Sequence, residues 1–325
     1  MRKRVGFAVL LAIAAGAIGV AVAVGGGSSK SSVTLTLDWT PNPDHVGFFD
    51  AKDTGIFARN GLDVTIRAPS DPTAPLKLVG IGKSDLAVSY EQEVFFAAAK
   101  KLPVVAVAAV VPQPLNSFMS IEPKVRSLAD LRGGTIGITG VPSDYATLKS
   151  AGLSGRVKVV TVGYNLLPAL LSHRVDAVLG VYRNVEGVQL QLRGLHPTII
   201  PVDHAGVPSY DELVLVASKT RLHDPAYRSE VQRFVSAFLA GTRDARAHPS
   251  RALSILKKET ASDAKFLARA TPATLHLLAG PHGVGCLSVA AWQRFGNWMH
   301  ARGLLKQPVA ASSVATTRFL PRSCR

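Results

Sequence analysis

Val33-Thr34-Leu35-Thr36-Leu37 alternates apolar and β-branched polar residues and runs directly into Asp38-Trp39-Thr40-Pro41-Asn42-Pro43-Asp44-His45, ahead of Val46 to Ala58, where apolar residues recur at helical spacing. A strand that hands over to a helix through a polar loop opens an α/β unit. The carboxyl ends of strands in open α/β sheets are also where ligands bind. The loop gathers an aromatic plane, two carboxylates, an amide and an imidazole. Pro41 and Pro43 stiffen it, and Asp44 has the chemistry of a helix N-cap.

Outward from this unit the alternation continues. Extended segments are predicted at Asp63 to Ala68, Asp85 to Tyr90, Val104 to Val111, Thr135 to Thr139, Val157 to Val162, Asp176 to Val181 and Thr198 to Val202. Helical spacing is read at Glu91 to Lys100, Leu128 to Leu131, Ala146 to Ala151, Leu166 to His173 and Val185 to Leu192. The pattern predicts parallel α/β architecture. Ser117 to Glu122 and Glu212 to Ser218 break the rhythm, each following a unit of one apparent domain and leading into the other, as a pair of crossing strands would. After Ser218 the chain reads as helical, at Tyr227 to Ala247, Arg251 to Lys258, Ala264 to Leu278 and Val289 to Arg302. The expected organisation is two lobes: residues 33–116 with 215–325 in one, and 117–214 in the other. A discontinuous lobe joined by two strands is the plan of a hinge-closing solute-binding protein.

The amino terminus has a different composition. Arg2, Lys3 and Arg4 precede an uncharged apolar run, Val5 to Val24, followed by a small-residue spacer to Ser32. This is the layout of an export signal, or of an uncleaved membrane anchor given its length of about 20 residues. Residues 1–32 are therefore set apart, and the protein is expected in the cell envelope or on the outer face of the membrane. Four of the basic residues lie in that segment, which reduces the formal charge of +15 to +11 for the remainder. The basic residues are scattered singly, so the charge fits attraction to an anionic envelope better than a nucleic-acid interface. Cys286 and Cys324 are the only cysteines, and in an oxidising compartment they are expected to form one disulfide.

Catalytic signatures fail in context. Gly80-Ile81-Gly82-Lys83-Ser84 has the end of a phosphate-binding loop without its first glycine, and it leads into a strand instead of a helix. The nine histidines lack metal-ligand spacing, so neither a metal nor a cofactor is expected. Polar and aromatic clusters at strand ends point to binding instead. Tyr90 and Glu91 follow one strand, and Tyr182, Arg183, Asn184 and Glu186 another, which with Trp39 places three aromatics on one interlobe cleft. Flat rings stack on flat rings, and neighbouring carboxylates and amides bond exocyclic amines and ring nitrogens. The ligand implied is a small, flat, nitrogen-bearing heterocycle. The blander roles are helix N-terminal carboxylates for Glu91, Glu93 and Glu186, a capped turn at Gly140 to Asp144, and core packing for Trp292 and Trp298.

LDWTPNPDHVGFF, SDLAVSYEQEV, GYNLLPALLSHRVDAVLGVYRNVEGVQLQL and VPSYDELVLVASK, in order from Val33 to Ser218, resemble the successive motifs of the thiamine-pyrimidine-precursor substrate-binding proteins of ABC importers. The resemblance implies a two-lobed type II periplasmic-binding-protein fold that holds an aminopyrimidine between its lobes and delivers its load to permease subunits in the membrane; a monomer is expected. Carried over by position, it marks Asp38, Trp39, Asn42 and His45, then Tyr90 and Glu91, then Tyr182, Asn184 and Glu186. Trp39 and Tyr182 are expected to contact the ring and Asp38 and Glu186 its amino edge, with Asn42 and His45 shaping the loop. Arg183 departs from the family, which often has an aromatic there; it counts among the site candidates as a partner for a carboxylate or phosphate. The same fold would also serve a flavin, a sulfonate or another nitrogenous anion. The related pyrimidine synthases, which sacrifice a histidine, are a poorer match: His45 is present, but the first motif has no lysine and the chain lacks their cysteine cluster.

Overall fold

Among the described residues, ten short strands form two separate sheets. In the computed structural model, which describes residues 30–324, the strands are β1 (Ser31–Thr36), β2 (Leu62–Arg67), β3 (Leu86–Ser89), β4 (Val104–Val111), β5 (Asn116–Ser120), β6 (Thr135–Ile138), β7 (Lys158–Thr161), β8 (Ala177–Tyr182), β9 (Thr198–Pro201) and β10 (Leu213–Ser218). The expected export segment lies outside the described residues. Among those described, no helix is long and apolar enough to cross a membrane.

The first sheet has the order β2-β1-β3-β10-β4 and the second β7-β6-β8-β5-β9. In each, one strand runs antiparallel to its neighbours: β10 against β3 and β4, and β5 against β8 and β9. Each of these strands follows directly on a passage of the chain from one sheet to the other. The first passage is Pro112 to Leu115 and the second ends at Glu212. The fold is thus a two-domain α/β architecture in which both sheets share one topology. β4 is buried along its whole length, as an apolar run covered on both faces must be.

The helices are α1 (Val46–Asp53), α2 (Ile56–Arg59), α3 (Ala74–Gly80), α4 (Glu91–Ala99), α5 (Pro142–Ser150), α6 (Leu166–Leu171), α7 (Glu186–Leu192), α8 (Pro225–Ala247), α9 (Pro249–Glu259), α10 (Ala264–Leu275) and α11 (Val289–Ala301). Four differ from the sequence reading. The single helix expected over Val46 to Ala58 breaks into α1 and α2 because Gly55 sits at φ +76°, a left-handed conformation open to glycine. α3 has no counterpart in that reading, its sequence being punctuated by Pro72, Thr73 and Pro75 with Gly80 at its end. Leu128 to Leu131 gives only a 3-10 turn at Ala129–Leu131. α5 starts four residues early, since Pro142 occupies the first turn, where a missing N–H costs nothing. β1 also begins at Ser31, so Ser31 and Ser32 pair with Leu62 and Asp63 instead of belonging to the spacer.

α8 opens at Asp224, whose side chain accepts from the Ala226 N–H, and it packs on α1. There Phe48 stacks on Phe238 with ring centroids 4.4 Å apart. Trp292 is buried in the core against Phe95. Cys286 and Cys324 are joined as a disulfide, fastening the tail to the loop before α11.

Candidate functional site

The carboxyl ends of β1 and β3 in one sheet face those of β6, β7 and β8 in the other. Each supplies a side chain to the space between: Asp38 and Trp39 after β1, Tyr90 after β3, Thr139 after β6, Tyr164 after β7 and Tyr182 at the end of β8. With Glu186 at the start of α7, these enclose a narrow cavity. A second cavity adjoins it through shared walls at Tyr90, Thr139, Gly180 and Tyr182, and adds Asn116, Asp144 and Glu212. Gly180 has φ +100°, and a Cβ there would meet the Thr139 methyl at 2.9 Å, so this wall is open only to glycine.

The loop that opens the chain's first unit is organised around Asp38. Its Oδ1 lies 2.8 Å from His45 Nε2, its Oδ2 accepts from the Tyr90 hydroxyl at 3.2 Å, and its backbone carbonyl accepts from the Tyr164 hydroxyl at 2.7 Å. His45 Nδ1 accepts from the Asn42 N–H at 3.3 Å, which assigns the ring proton to Nε2, donating to Asp38. Asn42 Oδ1 in turn accepts from the Asp44 N–H at 2.8 Å. Asn42 and His45 are therefore spent on fixing the loop and do not line the cavity. Trp39 stands beside Tyr164, ring centroids 6.3 Å apart and tilted by 37°.

The remaining predicted residues divide between cleft and scaffold. Tyr182 and Glu186 line the cleft, and Glu186 Oε2 accepts from the Tyr182 N–H at 2.8 Å. Burial raises the Glu186 carboxyl to about 7. Asn184 is buried outside the cavity, where its Nδ2 donates to Asp44 Oδ1 at 2.7 Å and to Thr274 Oγ1 at 2.9 Å, tying the turn after β8 to the first loop and α10. Burial raises Asp44 to about 6. The Arg183 guanidinium donates to the Pro114 carbonyl in the first passage between sheets, away from the cavity walls. Glu91 lines a different cavity, together with Pro112 of the first passage and Tyr210 and Asp211 of the second. Its neighbour Glu93 accepts from the Ser143 N–H at 2.8 Å and so closes the amino end of α5, while Asp144 accepts from Thr139 Oγ1 and the Gly140 N–H. The turn at Gly140 to Asp144 is thus capped by the chain's own carboxylates.

Two further residues of the cleft had no signal strong enough to single them out. Tyr164 sits in a short Gly163-Tyr164-Asn165 loop with no periodicity around it. Glu212 heads β10, and its carboxylate lines the cleft while accepting from the N–H groups of Leu115 and Asn116 at 2.7 and 2.8 Å and from Tyr210 at 2.9 Å. Burial raises it to about 7.

Two sheets of like topology, joined by two passages and facing each other across strand ends, define the periplasmic-binding-protein class of fold. The alkanesulfonate-binding protein SsuA of Xanthomonas axonopodis pv. citri has this fold, with a TM-score of 0.70 at 16% identity, covering 89% of this chain and 99% of that one. A formylaminopyrimidine-binding protein of Halalkalibacterium halodurans is 35% identical over 294 residues, 85% of this chain and 87% of its own length. A Haemophilus influenzae protein named for thiamine biosynthesis is 34% identical over 289 residues, 86% of this chain and 90% of its own. Residues 42–252 match the family described as NMT1/THI5 like, and the chain belongs to that family.

Proposed function

We propose that this protein is a binding protein, not an enzyme, which takes a substituted aminopyrimidine of the thiamine-precursor class into the cleft and passes it to the permease of an ABC importer on the outer side of a membrane. Residues 33–116 and 215–325 would form one lobe and 117–214 the other. The carrying observation is the cavity wall itself, with Trp39, Tyr90, Tyr164 and Tyr182 beside the carboxyl groups of Asp38 and Glu186. Aromatic faces accept a heteroaromatic ring by stacking. An aminopyrimidine edge offers an amino donor beside a ring-nitrogen acceptor. Burial favours the protonated Glu186 carboxyl, whose O–H donates while its other oxygen accepts, the complement of that edge. The name of the Halalkalibacterium relative supports the same ligand class.

The ligand would bridge the lobes and favour their closed arrangement, because only that form contacts it from both sides. Isothermal titration with formylaminopyrimidine tests the reading. Trp39→Ala and Glu186→Ala should each weaken binding by about 1 to 3 kcal/mol. Unchanged affinity in both variants would sink the site. Mass spectrometry of small molecules released from the purified, denatured protein checks the ligand class independently.

A further inference from the structure

Beside the cleft lies a larger cavity, of about 440 Å³, whose rim carries the exposed Thr73, Lys77 and Lys100. It shares no lining residue with the cleft, yet only a single layer of chain separates the two. Ser89 and Glu93 line the larger cavity, while Tyr90 and Gln92, between them in sequence, line the cleft. Gly140 and Pro142 likewise line the larger cavity, and Thr139 and Val141 the cleft. The partition is thus built from one segment after β3 and one after β6, and so from both sheets. The segments meet where the Ser143 N–H, in the first turn of α5, donates to Glu93 Oε1 of α4 at 2.8 Å. Asp144, the carboxylate of that turn, is engaged within its own loop by Thr139 and Gly140. The Ser143 donor takes its acceptor from the opposite sheet's helix instead.

We propose that the Glu93–Ser143 contact is a latch across the mouth of the cleft, and that the larger cavity is the vestibule through which ligand enters. The inference rests on the lobe closure proposed above. Asp38, Tyr182, Glu186 and Glu212 in the cleft wall are all buried, so a ring reaches them only when elements of the two sheets part. Parting α4 from α5 merges the narrow cleft with the vestibule. It breaks one hydrogen bond whose two groups water then satisfies, so the net cost is small and the opening reversible. Removing the Glu93 acceptor leaves the Ser143 donor unpaired in the closed form alone, which shifts the population toward the open one. The latch therefore acts on how long a ligand stays, and the vestibule on how fast it passes in either direction.

Acrylamide quenching of tryptophan fluorescence reads both parts in the ligand-free chain, because Trp39 stands in the cleft wall while Trp292 is buried in the core. Glu93→Ala should raise the quenching constant about twofold, an increase that disappears when Trp39→Phe is added. Glu93→Gln keeps an acceptor oxygen and should stay at the wild-type value. The vestibule is tested with Lys77→Cys, whose thiol is the only free one because Cys286 and Cys324 are bonded to each other. Alkylating it with N-benzylmaleimide should lower the quenching of Trp39. Stopped-flow mixing with formylaminopyrimidine adds the rates: dissociation should be about threefold to tenfold faster in Glu93→Ala and unchanged in Glu93→Gln. The alkylated Lys77→Cys protein should bind and release more slowly by one common factor, with its affinity unchanged. Quenching that ignores Glu93→Ala, or rises equally in Glu93→Gln, overturns the latch, and quenching untouched by the alkylation overturns the vestibule. If the wild type does not bind formylaminopyrimidine, the ligand class fails, while the quenching results still decide the latch and the vestibule.

Discussion

The Glu212 carboxylate, on the second passage between the sheets, accepts the backbone N–H of Leu115, on the first, at 2.7 Å. With Asn116 N–H at 2.8 Å it binds both passages into one unit, and through Tyr182, whose hydroxyl lies 3.4 Å from Oε1, it also reaches the cleft wall. Replacing Glu212 by alanine leaves two backbone donors without an acceptor, at a cost of about 2 to 4 kcal/mol. Glu212→Gln keeps one acceptor oxygen and should cost less. Urea unfolding measures both; a midpoint for Glu212→Ala equal to that of the wild type would show that the passages do not depend on it.

The alternation of β-rich and helical runs made the two-sheet plan legible, because strands buried on both faces, such as β4, are written as unbroken apolar runs. Trp39, Tyr182 and Glu186 were legible as cleft residues from their strand-end positions. Position next to a strand end does not fix direction, however. Tyr90 lines the cleft while Glu91, one residue later and already in α4, does not, and instead accepts from the Asp211 N–H of the second passage. Arg183 and Asn184 have the same fate after β8, each turned to hold the scaffold. Glu212 was invisible as the residue that ties the two passages together, because the N–H groups it accepts from there lie almost 100 residues away and a backbone donor leaves no mark in the sequence.

Tyr164 and Asp38 join the two sheets directly, hydroxyl to carbonyl. Tyr164→Phe keeps the ring against Trp39 and deletes this one bond, worth on the order of 1 kcal/mol. On the proposed closure this bond forms only when the lobes come together, so its loss should lower the affinity for the cleft ligand by roughly threefold to tenfold. Titration calorimetry giving wild-type affinity would show that closure does not use this contact.

Buried carboxyl groups dominate the pH response. Glu93, Glu186 and Glu212 are raised by burial to about 7, and Asp44 and Asp144 to about 6. Their ordinary values are 4.5 for glutamate and 3.8 for aspartate, so between those values and the raised ones the folded chain holds more protons than the unfolded chain. Stability then falls as pH rises, the reverse of a protein held by salt-bridged carboxylates. The urea midpoint should be higher at about pH 5 than at about pH 8, and the triple variant Glu93→Gln, Glu186→Gln, Glu212→Gln should reduce the difference, with the remainder left to groups such as Asp44, Asp144 and Asp50, the last raised to about 7. A midpoint that rises over this interval would contradict the burial of these groups in protonated form.

Arg183 stands where the family motif often has an aromatic, which made it a candidate for an anionic part of the ligand. Its guanidinium is instead committed to the Pro114 carbonyl, and its own backbone N–H reaches the Leu115 carbonyl at 3.4 Å. It also counters the charge of buried Asp44. Arg183→Leu should therefore lower stability by about 1.5 to 3 kcal/mol, the range for a hydrogen bond involving a charged group. Its effect on binding should be the same for formylaminopyrimidine and for an analogue bearing a carboxylate, because the side chain acts on the passage and not on the ligand. Calorimetry with the two ligands separates the roles: a loss confined to the charged analogue would place the guanidinium in the cleft and overturn the scaffold assignment.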